Sequence, residues 1–234
     1  MSTQTDPKDF WENKILTWEE GRYEPRKSKG SILERIADAS SRSLRYRIRT
    51  GVELLAPHIK DKAVYEIGCG SGLVAQRFIE LGAKSYHGID IATTAIEIAK
   101  KRQQEQGWSD KITFAVDNVR DMAPIKADVV FSLGVLDWLT DEELDIMFRK
   151  QGKAEYLHAI AEKRNSPSQW AHRAYVQVSY GYKTGAYRPR YFTAAEIARM
   201  SAKYRTGPFY AFRNPQLSFG ALISTLPVGP KIDL

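Results

Sequence analysis

The sequence predicts an α/β fold, a mostly parallel sheet wrapped on both faces by helices, with a helical segment in front and an antiparallel pair at the end. Three observations carry this. From Ala63 onward, short apolar runs alternate with helical patterns, the arrangement that buries a parallel sheet. The first run feeds a glycine-rich turn that opens at once into a helix. The last two apolar runs are separated only by Asn214-Pro215-Gln216 and Leu217, too few residues for a crossover, which suggests an antiparallel pair.

Taken in order, Asp6-Pro7 opens a helical pattern holding Phe10, Trp11, Ile15 and Trp18, which Gly21 can end. Arg22 to Gly30 is polar, basic and proline-containing, a linker or lid. Ser31 with Glu34 three residues on starts a longer helix. That helix carries Leu44, Ile48, Val52 and Leu55 on one face, Arg42, Arg45 and Arg49 on the other, and ends before Pro57. Strands are expected over Ala63–Ile67, Ser85–Ile89, Ile112–Val116, Ala127–Leu133 and Ala154–Ala161. Helices are expected over Leu73–Leu81, Thr94–Gln106 and Glu142–Lys150, the first two closed by Gly82 and Gly107. Thr140 with Glu143, Ser166 with Gln169 behind Pro167, and Thr193 with Glu196 are further helix starts. Pro208–Arg213 and Ser218–Thr225 form the closing pair. The resulting division is a helical cap or lid over residues 1–56 and a main domain over 57–234, with an insertion at about 163–192.

With 234 residues, 43% hydrophobic and 27% charged, the chain can build one full core, which excludes a disordered tail, a fibre and a disulfide scaffold. The longest low-charge stretch, Leu217 to Pro230, contains two prolines and is too short to cross a bilayer. No basic-then-apolar leader opens the sequence. The single cysteine, Cys69, precludes an internal disulfide or a multi-cysteine zinc site, so a reducing, cytoplasmic setting is expected. The net charge of +7 favours anionic partners. It is uneven: between Lys163 and Arg213 the only acid is Glu196. That stretch is either a solvated basic face or a site for anionic ligands.

Val64-Tyr65-Glu66-Ile67-Gly68-Cys69-Gly70-Ser71-Gly72-Leu73 is the most informative segment. Three glycines at alternate positions follow a strand and precede a helix. Glycine is needed where φ is positive or where a ligand approaches backbone amides, and the helix start behind the loop presents unpaired N–H groups. A dinucleotide fingerprint would need glycine at the sixth place, where Leu73 stands. Asp90 ends the second strand, where a carboxylate can accept both ribose hydroxyls, and Asp117-Asn118 ends the third, where an acid or amide can address an adenine edge. Together these strand tips make an adenosine site at the carboxyl edge of the sheet.

Glu66-Ile67-Gly68-Cys69-Gly70-Ser71-Gly72, Gly88-Ile89-Asp90 and Val116-Asp117-Asn118 resemble the successive motifs of class I S-adenosylmethionine-dependent methyltransferases. The resemblance covers roughly Ala63 to Ala161. It implies a Rossmann-like, doubly wound seven-stranded sheet in the order 3-2-1-4-5-7-6, last strand antiparallel, with S-adenosyl-L-methionine as cofactor and S-adenosyl-L-homocysteine as product. Carried over, Glu66, Gly68, Cys69, Gly70 and Gly72 would surround the methionine part. Asp90 would hold the ribose, Ile91 would pack on adenine, Asp117, Asn118 and Val119 would surround its edge, and Ser132 and Leu133 would lie under the methionine.

Methyl transfer is an in-line displacement, so the protein mostly aligns the reactants and excludes water, and it needs no metal. A hydroxyl acceptor must lose a proton, which calls for a base. His172, on the helix after the fifth strand, is the first candidate; Glu162 and His158 compete, and Glu162 could equally pair with Lys163 or Arg164. His58 reads as surface and His87 as core. Asp137 and Trp138 follow the fourth strand and can offer the acceptor a hydrogen-bond acceptor and an apolar wall. Trp11, Trp18, Arg45 and Trp170 complete the candidate acceptor-binding set. Aromatic residues interleaved with basic ones after the fifth strand suit sugars, anionic glycans, aromatic acids and single-stranded nucleic acid alike. The chain as a whole, including Asp9-Phe10-Trp11-Glu12-Asn13-Lys14 at its start, resembles methyltransferases found with bacterial surface-polysaccharide pathways, a diffuse likeness with no motif of its own. Three functions stay open: O-methylation of a small molecule or saccharide, methylation of RNA along the basic regions, and non-catalytic sensing of an S-adenosyl ligand.

Overall fold

A computed structural model describes residues 6–12, 14, 32–167, 169–170, 173 and 188–234, with the backbone alone described for 32–41. Residues 7–12 are helical, and the long helix α1 (Ile32–Leu55) follows. Then come β1 (Ala63–Ile67), α2 (Ala75–Glu80), β2 (Ser85–Asp90), α3 (Thr93–Glu105), β3 (Ile112–Val116), β4 (Val129–Leu133), α4 (Asp141–Gln151) and β5 (Glu155–Ala161). The chain ends with α5 (Ala194–Ala202), β6 (Tyr210–Phe212) and β7 (Gly220–Ser224).

The strands form one sheet in the order β3-β2-β1-β4-β5-β7-β6, with β7 antiparallel to both neighbours and all other pairings parallel. The central strands are apolar on both faces because helices cover both. On one face Val64, Val129, Phe131, Leu157 and Leu222 pack with Val52 and Leu55 of α1, Phe78 of α2 and Ile96 of α3. On the other, Ile67, Val130, Tyr156, Ile160 and Ile223 meet Leu144, Met147 and Phe148 of α4 and Ile197 of α5. The second half of α1, assigned to the cap in sequence, thus shares the sheet's own core: Leu55 is fully buried there.

Several boundaries are shorter than expected for identifiable reasons. Asp128 is the lead-in to β4, its carboxylate accepting the Ala63 N–H at 2.8 Å. The residues before Ala75 are spent on the turns of the glycine loop. Pro208 has no N–H for a ladder, and β6 starts only at Tyr210. Thr140–Glu143 and Thr193–Glu196 both form full capping boxes, and Gln169 N–H meets the Ser166 hydroxyl at 3.3 Å. The Ser31 cap, Ile15, Trp18, Gly21 and the 22–30 linker lie outside the described residues, as does most of the expected insertion. No described helix is long and apolar enough to cross a membrane.

Candidate active site

The strand order reverses between β1 and β4, and open α/β sheets bind ligands outside the carboxyl ends at such a switch point. There Gly68, Gly70 and Gly72 take φ of 74°, 53° and 71°. A Cβ on Gly68 would lie 2.2 Å from Val135, and one on Gly72 would lie 2.6 Å from Phe114, so two of the three are required by space as well as by conformation. Gly68 and Cys69 N–H both donate to Ile89 O, at 2.8 and 2.9 Å, which ties the loop to β2. Arg102 of α3 braces the far side through the Ser71 carbonyl and hydroxyl, at 2.5 and 2.8 Å.

Asp90 is buried, with one carboxylate oxygen accepting from Gly70 N–H and the other from Ala92 N–H, each at 2.9 Å. A carboxylate has about four acceptor positions, so bracing the loop is compatible with accepting ribose hydroxyls. Ile91 is half-buried beside it, while Leu73 and Val116 are 41% and 44% exposed around the same edge, apolar surface of the kind an adenosine would cover. The cradle, the carboxylate and this exposed apolar pair fit an S-adenosyl cofactor.

The other sequence-assigned cofactor residues also have partners within the fold. Glu66 is buried and accepts the Tyr86 hydroxyl. Cys69 is buried against Gly88, whose missing Cβ makes room for it. Asp117 accepts from Asn118 N–H at 2.8 Å, and the Asn118 side chain is engaged with Arg120, Asp121 and the Asp121 carboxylate. Val119 packs in the α4 core. The Ser132 side chain is corrected: its hydroxyl is fully buried 2.9 Å from His158 Nδ1, because the two residues are register partners. Leu133 is half-buried and packs toward Gly51 of α1.

Two of the three proposed bases are also corrected. His158 is fully buried, its Nε2 2.9 Å from Gln151 Oε1, and burial pushes its pKa down to about 3. A ring with both nitrogens occupied in the core cannot reach an acceptor. Glu162 is buried between Arg164 and Arg213, with contacts of 2.6 to 3.1 Å, so its carboxylate is committed to two guanidinium groups. His172 and Trp18 lie outside the described residues. His87 is half-buried, 2.7 Å from the Thr113 hydroxyl.

What the structure brings together instead is Asp137, Trp138 and the N-terminal helical segment. Asp137 sits in a single 3-10 turn, Leu136–Trp138, just past β4. It is buried, and its Oδ1 accepts from Ala161 N–H at the end of β5, at 2.7 Å. Burial raises its pKa to about 6, against the opposing pull of the Ala161 bond and of Arg47. The Arg47 guanidinium lies 3.0 Å from where Gly134 would carry a Cβ, so α1 reaches this loop directly. Trp11 meets Trp138 edge-on at 5.0 Å, and Phe10 lies 5.5 Å from the Trp138 ring. Arg45 is half-buried on α1 and Trp170 is 59% exposed. Sequence reasoning missed Arg102, Arg47 and Glu12, which act across long separations and leave no local pattern; Gly88 was visible as a glycine inside a strand.

Residues 64–154 match the family described as methyltransferase domain. Ribosomal protein L11 methyltransferase of Haemophilus influenzae strain PittEE is 39% identical over 72 residues, 31% of this chain and 24% of that one. Protein arginine N-methyltransferase 1 of Saccharomyces cerevisiae is 37% identical over 75 residues, 31% of this chain and 21% of its own. The chain thus spans about a quarter of the length of these curated relatives. The magnesium protoporphyrin IX methyltransferase of Synechocystis PCC 6803, solved with bound S-adenosylhomocysteine, superposes with a TM-score of 0.69 over 93% of this chain and 96% of that one, at 15% identity. Residues 64–154 thus match a methyltransferase domain, and the chain has the fold of solved S-adenosylmethionine-dependent methyltransferases, which supports S-adenosylmethionine as the cofactor.

Proposed function

We propose that the protein transfers a methyl group from S-adenosylmethionine to an oxygen of a small molecule or saccharide. The observation that carries this reading is the buried Asp137 carboxylate beside the aromatic wall of Phe10, Trp11 and Trp138, on the β4–β5 side of the cleft. The cofactor, when bound, supplies a methyl group on a good leaving group. The glycine loop and Asp90 hold it, and the aromatic wall keeps water out and the acceptor aligned. Asp137 Oδ1 stays on the Ala161 N–H, and Oδ2 takes the proton that the acceptor hydroxyl gives up. A carboxylate pushed up to about 6 is mostly ionised at neutral pH yet more basic than an ordinary aspartate, which suits that task.

The RNA reading loses support where five described basic residues of the late stretch pair with acids of the fold. Arg190 pairs with Asp141 and the Leu139 carbonyl, Arg205 with Glu155, Lys203 with Asp145, and Arg164 and Arg213 with Glu162. Part of the charge asymmetry seen in sequence is thus bracing within the fold.

The test is transfer of labelled methyl into fractionated extract of the source cells, with Asp90→Ala as control. Label in small or saccharide-sized material that survives nuclease is the expected result. Label lost on RNase treatment would replace this reading with the RNA one, and cofactor binding without any transfer would favour a sensor.

A further inference from the structure

Helix α3 starts immediately after the strand tip that carries Asp90, yet its own N-cap, Ala92, has no capping side chain and its first turn contains no acid. The leading N–H groups of a helix need partners. Glu12 supplies them from 81 and 82 residues away: its two carboxylate oxygens accept from Thr93 N–H at 2.7 Å and Thr94 N–H at 2.8 Å. The Thr94 hydroxyl donates to the same carboxylate, and this bond is the main reason the Glu12 carboxyl is held below its usual range. Trp11, next in sequence, packs on Ala92 and Ala95 of the same helix start. Its ring also touches Trp138 on the opposite side of the cleft. The N-terminal segment is therefore fastened to both sides of the switch point.

The contacts continue inward. Ala92, whose N–H holds one oxygen of Asp90, precedes the two residues that Glu12 caps, and the other Asp90 oxygen holds Gly70. One run of bonds joins Glu12, the α3 start, Asp90 and the glycine loop. Resting on the reading of this cleft as the S-adenosylmethionine site, we infer that Glu12 is a positioning residue for the cofactor, a latch whose closure and cofactor occupancy favour each other. Coupling of this kind is reciprocal: whatever factor the closed latch adds to cofactor affinity, the bound cofactor returns to latch closure.

The experiment uses the full chain and S-adenosylhomocysteine as the probe, with calorimetry for affinity, stopped-flow tryptophan fluorescence for rates and hydrogen exchange over residues 7–14 and 92–96. Glu12→Ala should weaken binding about three- to tenfold, chiefly through faster dissociation, and Glu12→Asp should recover part of that loss. Thr94→Val, which removes only the hydroxyl contact, should fall between wild type and Glu12→Ala. The bound probe should slow exchange at residues 7–14 in wild type and not in Glu12→Ala. Glu97→Gln, an exposed change on α3, should match wild type. An unchanged dissociation constant in Glu12→Ala overturns the latch, whether or not the rates move. So does a loss of protection spread over the whole sheet, which would mark a purely structural role. Failure of the wild-type protein to bind the probe overturns the reading of the cleft itself, and the latch with it.

Discussion

Along the β1–β3 side of the cleft, the groups proposed to meet a ligand are mainly backbone, shaped by glycines and tied down by the Asp90 carboxylate. Along the β4–β5 side they are side chains from distant segments: Phe10 and Trp11, Arg47, Asp137 and Trp138. The first construction is local, with a loop, the next strand tip and the helix between them inside about thirty residues. The second is assembled only when the chain has folded, as when Trp11 meets Trp138 from 127 residues away. A backbone cradle recognises what all its ligands share, whereas a wall of side chains can change without disturbing the cradle. That difference is why the cofactor is readable here and the acceptor is not.

The sharpest way to break the comparison is Asp137→Asn. Asn keeps the shape and can still accept the Ala161 N–H, but it cannot take a proton. Methyl transfer should fall by about two to four powers of ten, with S-adenosylhomocysteine affinity unchanged. Wild-type transfer should fall about tenfold per pH unit below about 6 as Asp137 protonates. Transfer at the wild-type rate in this variant would remove Asp137 from the chemistry.

On the cofactor side, Asp90→Ala removes the acceptor for both Gly70 and Ala92 N–H groups as well as for the ribose. Leaving buried donors unsatisfied costs about 1–3 kcal/mol each, so calorimetry should show affinity reduced at least about tenfold. Arg102→Met should cost less, about two- to fivefold, because it loosens Ser71 while leaving the glycines and Asp90 in place. If Arg102→Met proved as damaging as Asp90→Ala, the loop would depend on its side-chain brace rather than on its own backbone.

The legible parts of this molecule are those written within one element or one turn. The seven-stranded order was implied by motifs at three successive strand tips, and both capping boxes stood where Thr140–Glu143 and Thr193–Glu196 announce them. Ser132 and His158 misled because residue type was read without the pleat. Side chains alternate along a strand, and these two register partners point into the same core layer, where they satisfy each other. Glu162 misled for the opposite reason. Its position near the β5 tip was right, but Arg213, 51 residues on, could not be seen to reach it. Glu12 had no signal at all, since a carboxylate in a polar helical stretch is ordinary until Thr93 and Thr94 are placed against it.

The smallest expected effect sharpens the contrast between a buried group in the cleft and one in the core. Asp137 is raised from 3.8 to about 6, so within that window the native state holds a proton the unfolded chain has released, and stability falls as pH rises. His158 is lowered from 6.5 to about 3, so within its window the unfolded chain holds the extra proton, and stability falls as pH drops. The windows overlap from about pH 3.8 to 6, and between about pH 4.5 and 5.5 each slope is about 1.4 kcal/mol per pH unit and the signs oppose, with His87, held low by burial, adding to the His158 side. Below that range the carboxyls held low, Glu12, Asp145 and Glu196, begin to protonate and stability declines for a separate reason. Urea unfolding of the wild-type protein across the overlap should therefore show a much shallower pH dependence than either group would impose alone. Asp137→Asn removes one slope and should expose the other, a loss of about 1.4 kcal/mol for each unit of acidification. The same variant should be the more stable protein above pH 6, by up to about 3 kcal/mol, because it no longer buries a charge. Higher stability with lost transfer is the signature of a group kept for chemistry at the expense of the fold. A variant with the wild-type pH dependence, and no more stable, would place Asp137 with His158 among the groups the fold merely accommodates.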